Sequence, residues 1–467
     1  MKPLLRNVLV IGGADIAARL AGFVTTVYLA RVLGPAAFGV VTIGASVLIY
    51  CSLIASPGIQ QVETRNAARP AFMTPERVDA ILSLRMLLAL LLIPILAVVL
   101  LLAGVSGETG QVILAYALSL VPLALALDWW FQGKERFGAV GAFRLAAALV
   151  YGTLAVLLVR APGDVRTVPF AFLAGNIAAT AALLVLYARG QRAPLPRLDP
   201  AEARRLVAEN APVGFAVFLG QSIVNLPPIV LGVAAGDEGA GVYAAAAKIL
   251  VVVLLLDRLF NALFLPAVTR KLATSREEAA GLVRLSLKAV LAVMLPVAVV
   301  LAFGAPVVMA AVFGDAYGAA APVLAVLLWY CVLTLLNSLF SLVLMGSGRE
   351  ALYTRAMVTG SVLAALFVVA GAVLGGAPGA ATGVVAGEAL TAWLMLRNLE
   401  PDLLRGAAPS VFRPVAGGLL MAAAGFVALP YGPAAASAAA LAVYAVYAPA
   451  AGLFHADEIR WLRERIV

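Results

Sequence analysis

The sequence predicts an all-α membrane protein with about fourteen transmembrane helices, and three observations lead to this fold class. Of its 467 residues, 63% are hydrophobic and only 12% are charged, with a mean hydropathy of +1.03, whereas soluble domains are typically about 45–50% apolar. Apolar runs of about 20 residues, the length of helix that crosses a bilayer, recur along the whole chain. The connections between these runs alternate between basic and non-basic, as expected for a chain that crosses a membrane repeatedly.

The apolar runs define the predicted spans, which should be helices because an open sheet would leave backbone groups unpaired in lipid. The first run has a basic start, as a signal peptide does, but Asp15 and Arg19 interrupt it. It is therefore predicted to be a retained span. The predicted spans cover 5–33, 38–56, 78–103, 111–131, 137–159, 169–188, 211–235, 241–266, 282–303, 320–345, 351–374, 379–396, 411–429 and 434–454.

The distribution of Lys and Arg predicts the orientation of these spans. With the N-terminus inside, the outside connections hold Arg31, Arg160 and Arg166 as their only basic residues. Because cytoplasmic connections collect Lys and Arg, the protein is predicted to be a multi-pass protein of the inner (cytoplasmic) membrane with both termini cytoplasmic. The formal net charge of +9 follows mainly from this topology, and no nucleic-acid partner is expected.

A short internal repeat divides the chain. The segment GPAAFGV at 34–40 ends the first hairpin turn, and GDEGAGV occupies the equivalent place 202 residues later, at 236–242. Six spans per copy would make a parallel repeat, related by an axis along the membrane normal. The predicted domains are an N-terminal lobe at 1–190, a basic cytoplasmic linker at 191–205, a C-terminal lobe at 206–398, and two helices with an amphipathic cytoplasmic tail at 399–467.

Polar residues form a stripe on the first span. At 100° per residue, Asp15, Arg19, Gly22 and Thr26 lie on one helix face. A charge at the bilayer centre costs about 2.5–3.5 kcal/mol on insertion scales, so such groups usually face the protein interior or a hydrated cavity. The stripe therefore predicts that Arg19 lines a cavity; the alternative is an i,i+4 ion pair with Asp15 that only joins helices.

The seventh span carries a similar stripe. The 202-residue shift places Gln221 at the position of Arg19, and Asn210, Gly214 and Asn225 lie on the same face. The pair Pro227–Pro228 removes backbone donors and predicts a bend in this helix. A bent helix with a polar stripe in both copies indicates a central pathway. Helix–helix hydrogen bonding alone is the alternative.

Further charges lie in the spans of the second half. Lys248 and Arg258 are candidate cavity cations, although each could instead snorkel to the nearer surface, and Arg258 could pair with Asp257. Glu388 and Asp257 are candidate ion or proton sites; for Glu388 the alternative is a buried, neutral, hydrogen-bonded acid. Four basic residues near predicted cytoplasmic helix ends are expected to snorkel, and two tryptophans are expected to be interfacial anchors: Arg85, Arg144, Lys288, Arg355, Trp129 and Trp130.

No constellation for catalysis is found in the sequence. It contains no phosphate-binding P-loop, no nucleophile with a base and no large extramembrane domain. Cys51 and Cys331 lie within spans and offer neither a disulfide framework nor metal-ligand spacing. The sequence thus predicts no catalytic residue, no metal and no cofactor, and ATP is not expected to be the direct energy source.

Four motifs together resemble the polysaccharide transporters that flip lipid-linked oligosaccharides. They are RLAGFVTTVYLARVLGPAAFG at 19–39, DWWFQGKERF at 128–137, VYAAAAKI at 242–249 and VFGDAYGAAAPVL at 312–324. That family shares a superfamily with lipid II flippases and multidrug and toxin exporters. The resemblance implies two six-helix lobes around a V-shaped cavity, two extra C-terminal helices, alternating access, and a substrate on a polyprenyl pyrophosphate.

The resemblance also implies cavity cations, for which Arg19, Lys248 and Arg258 occupy suitable helices. The implied partners are the lipid-linked oligosaccharide, membrane lipid, and glycosyltransferases and a polymerase of a surface polysaccharide pathway. Three alternatives stay open: a lipid II flippase, a cation-coupled multidrug exporter, and a membrane glycosyltransferase or polymerase. Two cavity arginines should repel organic cations, and the longest outside connection is too short for the acidic loop that a transferase usually needs.

Overall fold

The computed structural model describes residues 2–69, 72–197 and 199–453. The predicted cytoplasmic tail falls in 454–467, outside the described residues. All regular secondary structure in the described ranges is helical, which confirms the all-α fold class. The α-helices are α1 (Lys2–Ala55), α2 (Ile59–Ala67), α3 (Pro75–Leu102), α4 (Gly107–Ala117), α5 (Leu120–Leu125), α6 (Asp128–Gly133), α7 (Phe137–Leu158), α8 (Val168–Ala188), α9 (Pro200–Ala234), α10 (Gly236–Val253), α11 (Leu255–Thr274), α12 (Arg276–Phe313), α13 (Ala320–Gly346), α14 (Glu350–Leu396), α15 (Pro401–Leu404), α16 (Ala408–Ala428) and α17 (Pro433–Ala450).

Length and hydropathy make most of these helices candidate membrane spans. Within the described residues, eleven helical segments pass this test, or up to twelve when bent α9 is counted. The bend of 58° in α9 lies between Pro200–Gln221 and Val224–Ala234. A proline clashes with the carbonyl four residues earlier, so Pro227 and Pro228 strain the helix at 223 and 224. The predicted bend therefore has its expected cause and position.

Two of the candidate spans contain a break where the sequence predicts a turn. In α14, Gly375 and Gly376 leave the helical conformation, and close contacts of Gly371 with Gly379 and of Gly383 with Phe367 pair the halves in antiparallel order. α14 is therefore a hairpin of two helices joined by small residues, a common packing in membranes. α1 breaks at Gly34, whose φ is 72°. If both helices cross twice, the span count is compatible with the predicted fourteen.

By packing, the chain forms two compact units, Met1–Gly241 and Val242–Val467. In the first unit, α1 packs against α4, α7 and α9, and α2 packs against α6. In the second unit, α13 lies against α12 and α14, while α16 and α17 pack on α12. The predicted lobes and linker are defined by sequence repeat rather than by packing, and their boundaries stay a prediction.

The predicted interfacial tryptophans lie in a core instead. Trp129 is fully buried, and the Trp130 ring lies 4.9 Å from the ring of Tyr187. The motif forms the short helix α6, which packs so closely on α2 that Gly133 leaves no room for a side chain against the Thr64 carbonyl. The anchor prediction is wrong because both tryptophan side chains are buried inside the protein, although α6 ends the candidate span Gly107–Gly133.

Arg85 also differs from its prediction. Instead of snorkelling, its guanidinium is buried and donates hydrogen bonds to the carbonyls of Leu123 and Ala126, at 2.6 and 2.9 Å. The last carbonyls of a helix have no partner within that helix. Because α5 ends at Leu125, Arg85 supplies donors at that end.

The basic linker lies along α3 and is bonded to it. Arg192 forms an ion pair of 2.5 Å with the buried carboxylate of Asp79, which also accepts a hydrogen bond from the Leu195 N–H at 2.8 Å. Two residues later, the Arg197 N–H donates to Ser83 Oγ at 2.8 Å. These bonds hold the linker on α3 immediately before α9 begins.

Candidate functional site

The predicted pathway residues of the first unit lie on α1 and α9. Arg19 is exposed on α1, while Thr26 is partly buried and its hydroxyl donates to the Gly22 carbonyl at 2.8 Å. The side chain of Asp15 lies outside the described residues. α1 packs against α7, where the Tyr28 hydroxyl donates to the Val159 carbonyl at 2.8 Å. The helix that carries Arg19 is therefore packed against α7 and hydrogen-bonded at the end of α7.

On α9, the polar stripe separates into two parts. Asn225 donates from Nδ2 to the backbone oxygen and to Oε1 of Gln221, at 3.1 and 3.0 Å, so these two candidates form one exposed polar group next to the bend. Asn210 and Gly214 are different: they pack against the turn at Gly58, with Asn210 fully buried. Asn210 also donates to Glu63 Oε1 on α2 at 3.3 Å, which agrees with the alternative of helix–helix hydrogen bonding for that residue, whereas Gly214 makes a close packing contact.

The two copies of the glycine repeat touch each other. Gly39 lies so close to the Asp237 carbonyl that a Cβ atom could not be added, and Gly241 approaches the Pro35 carbonyl in the same way. The 202-residue shift relates Gly39 to Gly241 and Pro35 to Asp237. The contact is therefore reciprocal, as for two copies related by a local twofold axis.

The candidate cations of the second unit lie on successive helices. Lys248 is partly buried on α10, and Arg258 is exposed on α11. α10 and α11 are separated by a break at Leu254, within one predicted span. Leu254 keeps right-handed helical φ and ψ of −70° and −5°, and one candidate membrane span runs from Gly236 to Arg258.

The two candidate coupling acids both accept hydrogen bonds from the same helix, α13. Asn337 on α13 donates to Glu388 Oε1 at 2.8 Å, and Thr334 donates to the same oxygen at 3.2 Å. The next residue, Ser338, donates to Asp257 Oδ1 at 2.8 Å, an oxygen that Asn261 also contacts at 3.0 Å. Neighbouring residues of α13 thus connect an acid on α14 to an acid on α11.

The hydrogen-bonded acid cluster at Glu388 was only partly predictable. Glu388 is 7% exposed, which agrees with the alternative of a buried, hydrogen-bonded acid. Whether the side chain is charged depends on its protonation state. Its partner Asn337 lies on another helix, α13, so no local pattern in the sequence links the two residues. The signal in the sequence was the group of Thr334, Asn337 and Ser338 on one apolar span.

One ionic cluster was missed by the sequence analysis. Arg77 Nε and Nη2 donate to the two carboxylate oxygens of Glu63 at 3.1 and 2.8 Å, and Nη2 also contacts Glu209 Oε2 at 2.8 Å. Glu202 lies 3.7 Å from Arg77 Nη1. Arg77 thereby joins α2 and α3 to α9. The sequence signal was two acids, Glu63 and Glu76, among the arginines of this connection.

Comparison with known proteins places this geometry in context. The model of a family described as polysaccharide biosynthesis protein matches residues 4–264. The "Putative O-antigen transporter" of Escherichia coli (strain K12) is 23% identical over 410 residues, which cover 86% of this chain and 98% of that protein.

Solved structures of membrane transporters have the same fold. A lipid II flippase, MurJ, in an inward closed conformation superposes with a TM-score of 0.71 at 13% identity, over 95% of this chain and 98% of that one. An inward-facing multidrug resistance transporter of the MATE family, in the MOP superfamily, gives 0.62 at 16% identity, over 83% and 96%. The structures establish the fold, and because the family model covers more than half of the sequence, the chain belongs to the polysaccharide biosynthesis protein family.

Proposed function

We propose that this protein is a flippase that moves a polyprenyl-pyrophosphate-linked oligosaccharide across the cytoplasmic membrane by alternating access, for surface polysaccharide assembly. The observation that carries the proposal is family membership, supported by a relative named as an O-antigen transporter that aligns over 98% of its length. These relatives favour a transporter over the glycosyltransferase or polymerase alternative.

The proposed cargo explains the charged residues on the pathway helices. A diphosphate with a sugar head cannot cross hydrocarbon unaided, because its charge would lose solvent without gaining partners. In the proposal, Arg19, Lys248 and Arg258 bind the diphosphate, while the Gln221–Asn225 pair, Thr26 and Asp15 bind polar groups of the head. The lobes at 1–190 and 206–398 would rock about this cargo as rigid bodies.

Replacing Arg19 tests the cargo site. A charge-assisted hydrogen bond contributes about 1.5–3 kcal/mol, so Arg19→Ala should reduce transport about tenfold or more. The measurement is the appearance of a polyprenyl-diphosphate-linked oligosaccharide on the far leaflet of proteoliposomes, detected with an impermeant lectin. Arg355→Ala, an exposed arginine on α14, is the matched control.

Two results would contradict the proposal. Full transport by Arg19→Ala at equal protein density would exclude the role of that guanidinium. Transport of lipid II in preference to the oligosaccharide lipid would assign the protein to cell-wall precursor export instead, and efflux of organic cations would indicate a drug exporter.

We also propose that Glu388 and Asp257 couple transport to a proton or cation gradient. Both acids lie in apolar helices, and each accepts hydrogen bonds from α13. Protonation or cation binding at either acid would change the bonds that Asn337 and Ser338 make. Because these two donors are adjacent in sequence, a change in the hydrogen bonds at one acid would also alter the hydrogen bonds at the other.

Glu388→Gln tests the coupling role, because the amide keeps the size of the side chain but cannot bind or release a proton. We expect transport that no longer responds to an imposed pH or Na⁺ gradient, while downhill exchange persists. Asp402→Asn, which changes an exposed acid on α15, is the control. An unchanged gradient response in Glu388→Gln would contradict the proposal.

The remaining parts of the proposal concern the cell. The inner membrane, with both chain termini in the cytoplasm, is supported by the distribution of basic residues between alternate connections. Glycosyltransferases that build the oligosaccharide and a polymerase that consumes it are the proposed functional partners. Membrane lipid surrounds the apolar helices, and no nucleic acid is involved.

A further inference from the structure

A small cationic cavity lies between α12 and α16, on helices that the proposed cargo site does not use. Its volume is about 260 Å³, and it is lined by Arg284, Lys288 and Arg413 together with Ser410. The other lining residues are uncharged, so no carboxylate is among the residues that line it. Both helices begin at connections predicted to be cytoplasmic, which places the cavity at the inner headgroup level.

Three cationic side chains line this one cavity, and like charges repel each other. Arg284 and Lys288 are one turn apart on α12, a spacing at which like charges destabilise a helix. Lys288 was expected to snorkel, but only 9% of it is exposed. An anion in the cavity would offset this repulsion.

Each guanidinium donates a hydrogen bond to a backbone carbonyl and has further N–H donors. Arg284 Nη1 donates to the Arg405 carbonyl at 2.7 Å, and Arg413 Nη1 donates to the Ala451 carbonyl at 3.4 Å. An arginine has five N–H donors, so each of these hydrogen bonds occupies one of them. Oriented arginines beside a lysine and a serine hydroxyl suit the oxygens of a phosphate group.

An apolar surface continues from the cavity. Leu420 and Val427 follow Arg413 at intervals of seven residues, and therefore lie on the same face of α16. They are 48% and 77% exposed, and α16 is a candidate membrane span. A molecule with its phosphate near Arg413 could thus lay an acyl chain along α16.

From these observations we propose that the cavity binds the headgroup of an anionic membrane phospholipid, such as phosphatidylglycerol. Basic pockets between transmembrane helices on the cytoplasmic side are suited to such headgroups. A volume of about 260 Å³ accommodates a glycerol phosphate group, and the cavity lies on helices that the proposed cargo site does not use, which favours a resident lipid over the transported substrate. The cavity lies where α16 packs against α12, so a lipid bound there would act as a structural ligand of this helix pair.

Native mass spectrometry of the delipidated full-length protein tests the proposal. Phosphatidylglycerol and phosphatidylcholine with identical acyl chains are titrated in detergent, and the first bound lipid is quantified. Each cation near a lipid surface contributes about 1 kcal/mol, or roughly fivefold in affinity. The wild type should prefer phosphatidylglycerol, and Arg284→Gln/Lys288→Gln/Arg413→Gln should weaken its binding on the order of 100-fold.

Further variants separate loss of the site from loss of folding. Ser410→Asp keeps all three cations but adds a negative charge to the cavity, and should also weaken binding. Arg284→Lys/Arg413→Lys keeps the charges and should retain the preference for phosphatidylglycerol. Arg355→Gln, an exposed arginine outside the cavity, should bind as the wild type does.

Several outcomes would overturn the proposal. Equal binding of the two lipids by the wild type would do so, as would wild-type affinity in the triple variant. Displacement of phosphatidylglycerol by inorganic phosphate would indicate an ion site without a lipid tail. Displacement by farnesyl diphosphate at equal concentration would assign the cavity to the diphosphate substrate.

Discussion

Arg77 is the residue that joins three helices of the first unit through charge. Its partner Glu63 is fully buried, whereas Arg77 itself is 11% exposed. A buried charge is tolerated only when it is paired and hydrogen-bonded. The two hydrogen bonds from Arg77 and one from Asn210 Nδ2 at 3.3 Å meet that requirement. These hydrogen bonds and ion pairs therefore hold the start of α9 on α2 and α3, and we expect substitutions of the buried charges to be destabilising.

We predict that Arg77→Leu destabilises the purified protein by about 3–5 kcal/mol, because it leaves the Glu63 carboxylate buried without its counter-ion. Glu63→Leu/Arg77→Leu should cost less than the single change, since no buried charge is then left. Denaturant unfolding in detergent measures both. Arg205→Ala, which breaks an exposed i,i+4 pair with Glu209, should cost at most about 0.5 kcal/mol. If Glu63→Leu/Arg77→Leu is less stable than both Arg77→Leu and Arg205→Ala, pairing of the buried Glu63 charge is not what stabilises the cluster.

At this scale the sequence predicts which residues are unusual better than it predicts what they touch. Glu388 and Asp257 stand out because acids are rare in apolar spans. The contact between Asn337 and Glu388 joins residues on two different helices, and no local pattern encodes it. Arg85 was misjudged for the same reason: the carbonyls that it binds belong to a helix that is packed against α3 by folding.

At the scale of the elements, the reciprocal glycine contact is a very close packing contact between two backbone segments of the first unit. Gly39 and Gly241 each touch the backbone of the other repeat, and neither residue has a side chain that would keep the two segments apart. Gly34 and Gly236, which precede them by five residues, both have positive φ, 72° and 75°. Each repeat therefore uses one glycine to turn the chain and another to permit the close approach.

We predict that Gly39→Ala and Gly241→Ala each lower the free energy of unfolding by about 1–3 kcal/mol, the cost of overpacking a close contact. Because the contact is reciprocal, the two effects should be similar in size. Gly138→Ala on α7 is the control, since a Cβ atom there meets no neighbouring atom within 4 Å. It should be neutral or stabilising, because alanine favours a helix over glycine by about 1 kcal/mol. Equal stability of Gly39→Ala and Gly138→Ala would show that the glycine contact is not maintained in the purified protein.

At the scale of the whole molecule, apolar run length predicted most of the helices, because a bilayer sets the length of helix that crosses it. The orientation predicted from the basic connections stays a prediction. The breaks at Gly34 and at Gly375–Gly376 fall where connections were expected. The segment predicted as one span at 111–131 lies in one candidate span, Gly107–Gly133, which is built from the three short helices α4, α5 and α6 and is mostly buried. Hydropathy does not distinguish a lipid-facing helix from short buried helices, which is also why Trp129 was misplaced.

The number of membrane crossings is a property of the whole chain, and reporter fusions can determine it. If α1 crosses twice, with its turn at Gly34, then Gly163 lies outside and Arg197 in the linker lies inside; a single crossing would reverse both. If α14 crosses twice, Gly376 lies outside and Asn398 lies inside.

We predict that alkaline phosphatase, which folds only outside the cytoplasm, is active when the chain is truncated and fused after Gly163 or Gly376. It should be inactive after Arg197 or Asn398. Fusions of a fluorescent protein that matures only in the cytoplasm should give the opposite pattern, which controls for differences in expression. Activity after Arg197 would mean that α1 crosses once, and the orientation inferred from the basic connections would then be wrong for every helix that follows.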